Sequence, residues 1–208
     1  MCNFYEDEYM PNFSQLPPNA IIRFTNRKYL KYLKDPSGFY SHDNGGNKAG
    51  LSRIMTHIGQ TENQSFTSAA VCPKQEAYDI LHAYGNSLLI LDKSKIENCT
   101  YIFNGDFQDL SLKAYEDENK FINNIAWCKL SDTSFCQFIT KRSKMAGETN
   151  INNSERLVGH YFECRIFRPI KIEDIKDIYV LTLSDKGKVG SFDKYLEAYE
   201  KSVDAFWD

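Results

Sequence analysis

Glycine and proline are scarce in this chain, eleven and six of 208 residues, and no low-complexity stretch interrupts it. That excludes a collagen-like repeat and a mainly disordered protein. No apolar run approaches the roughly 18 residues that a membrane-crossing helix needs, so no membrane partner is expected. No C-x-x-C occurs, and His42, His57, His82 and His160 show neither an H-E-x-x-H pair nor a finger spacing, so no metal site is expected. Neither sign of charge dominates: 25 Lys and Arg against 28 Asp and Glu leave a net charge of -3, which by itself predicts no polyanion partner. Met1 to Glu8 are acidic, without a basic n-region or an apolar h-region. A soluble, cytoplasmic protein is therefore expected, or a secreted effector whose signal is of another kind.

The composition that remains, 42% hydrophobic and 14% aromatic, supports one domain with a real core. Six cysteines (Cys2, Cys72, Cys99, Cys128, Cys136 and Cys164) make an even count. A chain of this size folds on its core, and without a secretory signal reduced thiols are expected rather than disulfides. Two local basic runs stand out, Arg23, Arg27, Lys28, Lys31 and Lys34 in one and Lys141 to Lys144 in the other. Each is either a solvated helix face or a nucleic-acid contact.

Residues 1–18 are acidic and aromatic and read as an arm ahead of the fold. Ala20 to Thr25 reads as a first strand. Asn26 then caps a helix over 27–34, which Asp35-Pro36-Ser37-Gly38 stops. Residues 49–58 carry apolar side chains at helical spacing. A strand over Ser65 to Val71, a helix from Pro73 to Tyr84 closed by Gly85, and a strand over Ser87 to Asp92 follow. Further strands are expected at Tyr101 to Phe103, Ile125 to Leu130, Tyr161 to Arg168 and Asp177 to Leu183, with a helix from Asp132 or Thr133 to about Met145 and a helical turn at Ile172 to Ile175. In the 161–168 segment, Phe162, Cys164 and Ile166 alternate with Tyr161, Glu163, Arg165 and Phe167. The tail from Ser191 to Trp207 is amphipathic. The fold class is α+β with a mixed or antiparallel sheet.

Three strands carry polar groups that a purely structural strand does not need: Arg23, the Ser65, Thr67 and Ser68 group, and Glu163 with Arg165. A buried charge costs several kcal/mol unless it is paired, so each asks for a partner. If the strands converge on a cleft, a hydroxyl of the middle strand orients Glu163, and Arg23 faces an anionic ligand such as a diphosphate, which its planar fork suits.

This order of motifs resembles the ADP-ribosyltransferase superfamily over roughly residues 20–183. Ile22-Arg23-Phe24-Thr25 matches the early Arg-bearing strand, Ser65-Phe66-Thr67-Ser68 the middle Ser-Thr-Ser-like strand, and Phe162-Glu163-Cys164-Arg165 the late catalytic one. The ending looks like bacterial toxin and defence transferases of this type. The resemblance implies a split mixed sheet with flanking helices, and a transferase-like domain over 19–183 between the arm at 1–18 and a C-terminal amphipathic helix at 184–208. It implies a glycosyltransferase-class enzyme that takes NAD as substrate and passes ADP-ribose to a macromolecular acceptor, RNA, DNA or protein. An antitoxin or inhibitory partner goes with such an effector.

Loss of nicotinamide passes through an oxocarbenium-like ribose, so the resemblance casts Glu163 as the carboxylate that stabilises it and holds the ribose 2'-hydroxyl. Arg23 would hold the diphosphate or the nicotinamide ribose, with Thr25 and Ser68 lining the same cleft. Ser65 or Thr67 would keep Glu163 in register, and Phe66, Tyr40 or Tyr84 would stack on nicotinamide. Glu163→Gln is expected to abolish transfer while leaving the fold intact. The family's second acidic or Gln residue, two positions earlier, is Tyr161 here, which puts arginine-directed transfer in doubt. Glu155 is the second catalytic candidate.

Other readings stand beside this one. Glu163 and Arg165 on one strand face make a cross-strand charge ladder in a purely structural account. Cys72 or Cys136 with His82 or His160 makes a thiol-nucleophile site in another. The principal alternative is a non-catalytic binding protein of the same fold.

Overall fold

The runs rich in β-branched and aromatic residues pair into one mixed sheet of eight strands in a computed structural model that describes residues 2–7, 9–39, 66–72, 75–103, 127–132, 161–181 and 190–204. In chain order these are β1 (Asn3–Asp7), β2 (Ile21–Thr25), β3 (Thr67–Val71), β4 (Ser87–Leu91), β5 (Thr100–Phe103), β6 (Trp127–Lys129), β7 (Phe162–Ile166) and β8 (Ile175–Leu181). Across the sheet the order is β1-β8-β4-β2-β3-β7-β5-β6. Among the described strands only β1 and β8 pair in parallel. Three α-helices are described: α1 (Gln75–His82), a single turn α2 (Lys93–Ile96) and α3 (Phe192–Asp204). The class is α+β. No helix among the described residues is long and apolar enough to cross a membrane.

Alternation along the strands builds a core on each face. Ile21, Val71, Leu89, Phe162, Cys164 and Ile166 point to one side, into the same core as Phe192, Tyr195 and Leu196 of α3. Ile22, Phe24, Ala70, Leu88 and Ile90 point to the other, against Ala77, Tyr78 and Leu81 of α1. Strand β4 lies between β8 and β2 and is buried along its whole length, which is why Leu88-Leu89-Ile90-Leu91 is apolar on both faces. Burying a side chain such as Phe162, 1% exposed, is worth about 1.5–3 kcal/mol. After β7, Pro169 ends the run and Arg168 grips Asp174 with two hydrogen bonds of 2.6 and 2.7 Å, which ties this turn to the start of β8.

Several expectations shift. The segment expected to stand ahead of the fold supplies β1, an edge strand paired with β8, and Phe4 packs on Phe192 and Tyr195 at centroid distances of 5.7 and 5.2 Å. The helix capped by Asn26 is a 3-10 helix over Arg27–Leu33. The helix at the start of the middle unit is described only from Gln75. Residues 49–58 and the helix expected from Asp132 or Thr133 to Met145 fall, but for Asp132, outside the described residues.

Gly85 matters for a reason other than ending a helix. A Cβ there would lie 2.2 Å from both the carbonyl carbon and oxygen of Thr25, so the α1–β4 turn needs glycine for a close backbone approach to the end of β2. Gly85→Ala is expected to cost about 1–3 kcal/mol as the turn is pushed off β2. Urea denaturation monitored by tryptophan fluorescence measures this, and an unchanged midpoint would contradict the contact.

Candidate active site

The centre of the sheet is joined shallowly. Strands β2 and β3 share only two residue pairs, Ile21 with Val71 and Ile22 with Ala70. β2 then continues beside β4 through Thr25, while β3 continues beside β7 through Thr67. Past Ile22 the two strands share no further register pair, and a side chain bridges them: Arg23 Nη1 donates to the carbonyl of Ser68.

Ser68 links two charged groups. Its carbonyl accepts from Arg23, and its hydroxyl donates to Glu163 Oε1 at 3.3 Å. The β3–β7 register sets Ala70 opposite Glu163 and Ser68 opposite Arg165, which brings Ser68, Glu163 and Arg165 to one face. There Arg165 Nε lies 2.7 Å from Glu163 Oε1, and the Arg165 guanidinium rests 4.1 Å above the Phe66 ring. Glu163 and Arg165 are 6% and 4% exposed, so this is a buried ion pair.

Arg23 reaches the group from the other side. Its register partner Leu89 belongs to the α3-side core, and its guanidinium lies 4.8 Å over Phe39, also of that core. The charges sense each other through the seam. Burial pushes the Arg23 guanidinium down to about 10, with Glu163 opposing that shift and Arg165 adding to it. Arg23 thus keeps its charge at neutral pH.

The residues expected at a site separate accordingly. Arg23, Ser68, Glu163 and Phe66 come together, and Arg165, expected only as a ladder partner, is the cation that shares Glu163's face. Its signal was the Glu-x-Arg spacing, since residues two apart on a strand share a face. Thr67, expected as a holder of Glu163, turns the opposite way and donates to the carbonyls of Phe39 (3.0 Å) and Arg168 (3.3 Å); Ser68 holds Glu163 instead. Thr25 is buried opposite Ser87 at the end of β2. Tyr84 is exposed in the turn after α1. Tyr40, Ser65, Glu155, Cys136 and His160 lie outside the described residues. A cavity of about 210 Å³ between the N-terminal segment and the α1-side core is lined by Phe13, Leu16, Pro17, Ala20, Ile22 and Cys72, and neither Glu163 nor Arg23 borders it.

Three buried thiols among the described residues are shifted away from reactivity. Burial pushes Cys72 and Cys128 up to about 12, with Asp132 adding to the rise at Cys128, and holds Cys164 well above the ordinary thiol range. A nucleophilic cysteine needs the opposite shift. His82 is exposed and packs edge-on against Phe24 at 5.1 Å.

Comparison with known proteins finds no matching family model, no matching curated protein and no matching solved structure.

Two outcomes follow from this geometry. Glu163→Gln removes the carboxylate charge 2.7 Å from Arg165 Nε in a buried pair, so the variant expected above to leave the fold intact is expected to lose about 3–5 kcal/mol of stability. Adding Arg165→Met takes away the other half of the pair and should cost less than the two single losses together; additive losses in urea melts would contradict the pairing. In native protein at pH 8, iodoacetamide should leave Cys72, Cys128 and Cys164 unmodified over a time that alkylates them in urea, as read by peptide mass spectrometry. Rapid native labelling of Cys72 would restore the thiol reading.

Proposed function

We propose that this chain is an NAD-dependent ADP-ribosyltransferase of the bacterial toxin or defence type, with an ADP-ribosyltransferase-like fold. It would transfer ADP-ribose to a macromolecular acceptor in the cytoplasm, under the control of an inhibitory partner. One observation carries the reading: Glu163, Ser68 and Arg23, chosen from three separate stretches of sequence, form one connected group where β2 and β3 part.

The chemistry of that group fits a dinucleotide donor. A carboxylate locked in place supplies negative charge where a ribosyl cation develops, without reorganising during the reaction. Glu163 has that rigidity, since Ser68 and Arg165 both hold Oε1. In this reading Glu163 holds the ribose 2'-hydroxyl and takes the acceptor's proton. Arg23 is the counter-charge for the diphosphate, and its bond to the Ser68 carbonyl is the contact exchanged on binding. Phe39 and Phe66, each beneath a guanidinium, are the aromatic faces of the group. NAD supplies the glycosidic bond that breaks, with nicotinamide leaving and the acceptor taking the anomeric carbon.

A second reading, a non-catalytic binding protein of the same fold, is favoured by the burial of Glu163 and its 2.7 Å pairing with Arg165. Nicotinamide release separates the two. Wild type incubated with NAD labelled in the nicotinamide ring is expected to release labelled nicotinamide. Glu163→Asp keeps a charge for Arg165 but withdraws it by one methylene, and should lower release about 100-fold or more. Ser68→Ala, which loses one positioning hydrogen bond, should lower it about fivefold. No release by wild type in the presence of protein, DNA and RNA pools, or full release by Glu163→Asp, would overturn the assignment.

A further inference from the structure

The 3-10 helix over Arg27–Leu33 is seven residues long, where runs beyond three or four are uncommon. Its consequence is a period of three, which sets side chains three apart directly in line. Three stripes result. Leu30 and Leu33, 0% and 1% exposed, anchor the segment in the α3-side core. Tyr29 and Tyr32 form a second stripe, with rings 26° from parallel and centroids 6.4 Å apart, yet 42% and 41% exposed. Lys28, Lys31 and Lys34 form the third. Lys34 is paired with Asp193 of α3, whereas the ammonium groups of Lys28 and Lys31 stand 5.0 and 5.4 Å from the centroids of Tyr29 and Tyr32. Among the described residues no carboxylate pairs with either lysine. Arg27 lies over Tyr199 at 5.6 Å and extends the row of cations and rings.

Two large rings held open to solvent beside two ammonium groups, those of Lys28 and Lys31, which no described carboxylate pairs, match one class of ligand on both counts. We infer that the Arg27–Leu33 face binds single-stranded nucleic acid, with bases stacking on Tyr29 and Tyr32 and phosphates on Lys28 and Lys31. A duplex hides its base faces, and an acidic protein segment would use the lysines but not the paired rings. The chain as a whole carries a net charge of -3, so attraction to a polyanion has to be local, as here. The segment begins two residues after β2, the strand that bears Arg23. The inference rests on the transferase reading only for what the bound strand is used for, namely as the acceptor.

Fluorescence anisotropy with labelled oligomers of about twelve nucleotides, one of thymidine in DNA and one of uridine in RNA, tests it on the full chain without NAD. Wild type is expected to bind at least one of them. Tyr29→Ala with Tyr32→Ala should weaken that binding at least tenfold. Lys28→Gln with Lys31→Gln should flatten the plot of log affinity against log salt by about 1.4, at about 0.7 per phosphate. Ser68→Ala should bind as wild type does, so a failed transfer assay leaves this measurement readable. Absence of binding to both oligomers, equal binding by the tyrosine variant, or equally tight capture of a duplex or of a polyglutamate of the same length would overturn the inference.

Discussion

The ion pair between Glu163 and Arg165 is the constraint from which the middle of the structure follows. A carboxylate 6% exposed on a central strand is tolerable only with its charge met, and Arg165, one turn of the pleat away on the same face, meets it at 2.7 Å. Pairing within one strand leaves both groups pointing to the same side, and their register partners across the ladder must leave room for them. Ala70 and Ser68, small residues of β3, stand opposite. β2 shares only two register pairs with this strand, and Arg23 Nη1 donates to the Ser68 carbonyl beyond them. Packing economy alone would have filled this place with apolar side chains, as in the neighbouring strand β4.

Much of the fold was readable because its strongest signals are local. The apolar run Leu88-Leu89-Ile90-Leu91 after Gly85, and the alternation of Phe162, Cys164 and Ile166, lie where strands were expected. The stripe of Phe192, Tyr195 and Leu196 similarly marked α3 and the face it buries. The first strand escaped notice because Asn3–Asp7 is acidic and its partner β8 lies near the far end of the chain, a pairing no local pattern announces. The 3-10 winding of Arg27–Leu33 was equally hidden. Leu30 and Leu33 are three apart, a spacing that an α-helix and a 3-10 helix share.

The candidate site was readable as residue types and not as geometry. A polar group on an otherwise apolar strand marks a place that needs a partner, and this picked out Arg23, Ser68 and Glu163. Which hydroxyl of the Thr67-Ser68 pair faces Glu163 depends on inter-strand register. A slip of one residue would have reversed the answer. Arg23 likewise leaves β2 on the face opposite Glu163 and reaches the group only because the seam is open, a feature set by the length of pairing between two strands rather than by either strand's sequence.

An ADP-ribosyltransferase of this geometry has to receive its donor nucleotide at that seam. Amide hydrogen exchange, followed by mass spectrometry with and without a non-hydrolysable NAD analogue, addresses this directly. Protection confined to peptides covering Ile21–Thr25, Thr67–Val71 and Phe162–Ile166, and absent in an Arg23→Ala variant, is the predicted result. Exchange unaltered in these three strands at saturating analogue, or protection only around the cavity beside Phe13 and Leu16, would contradict it.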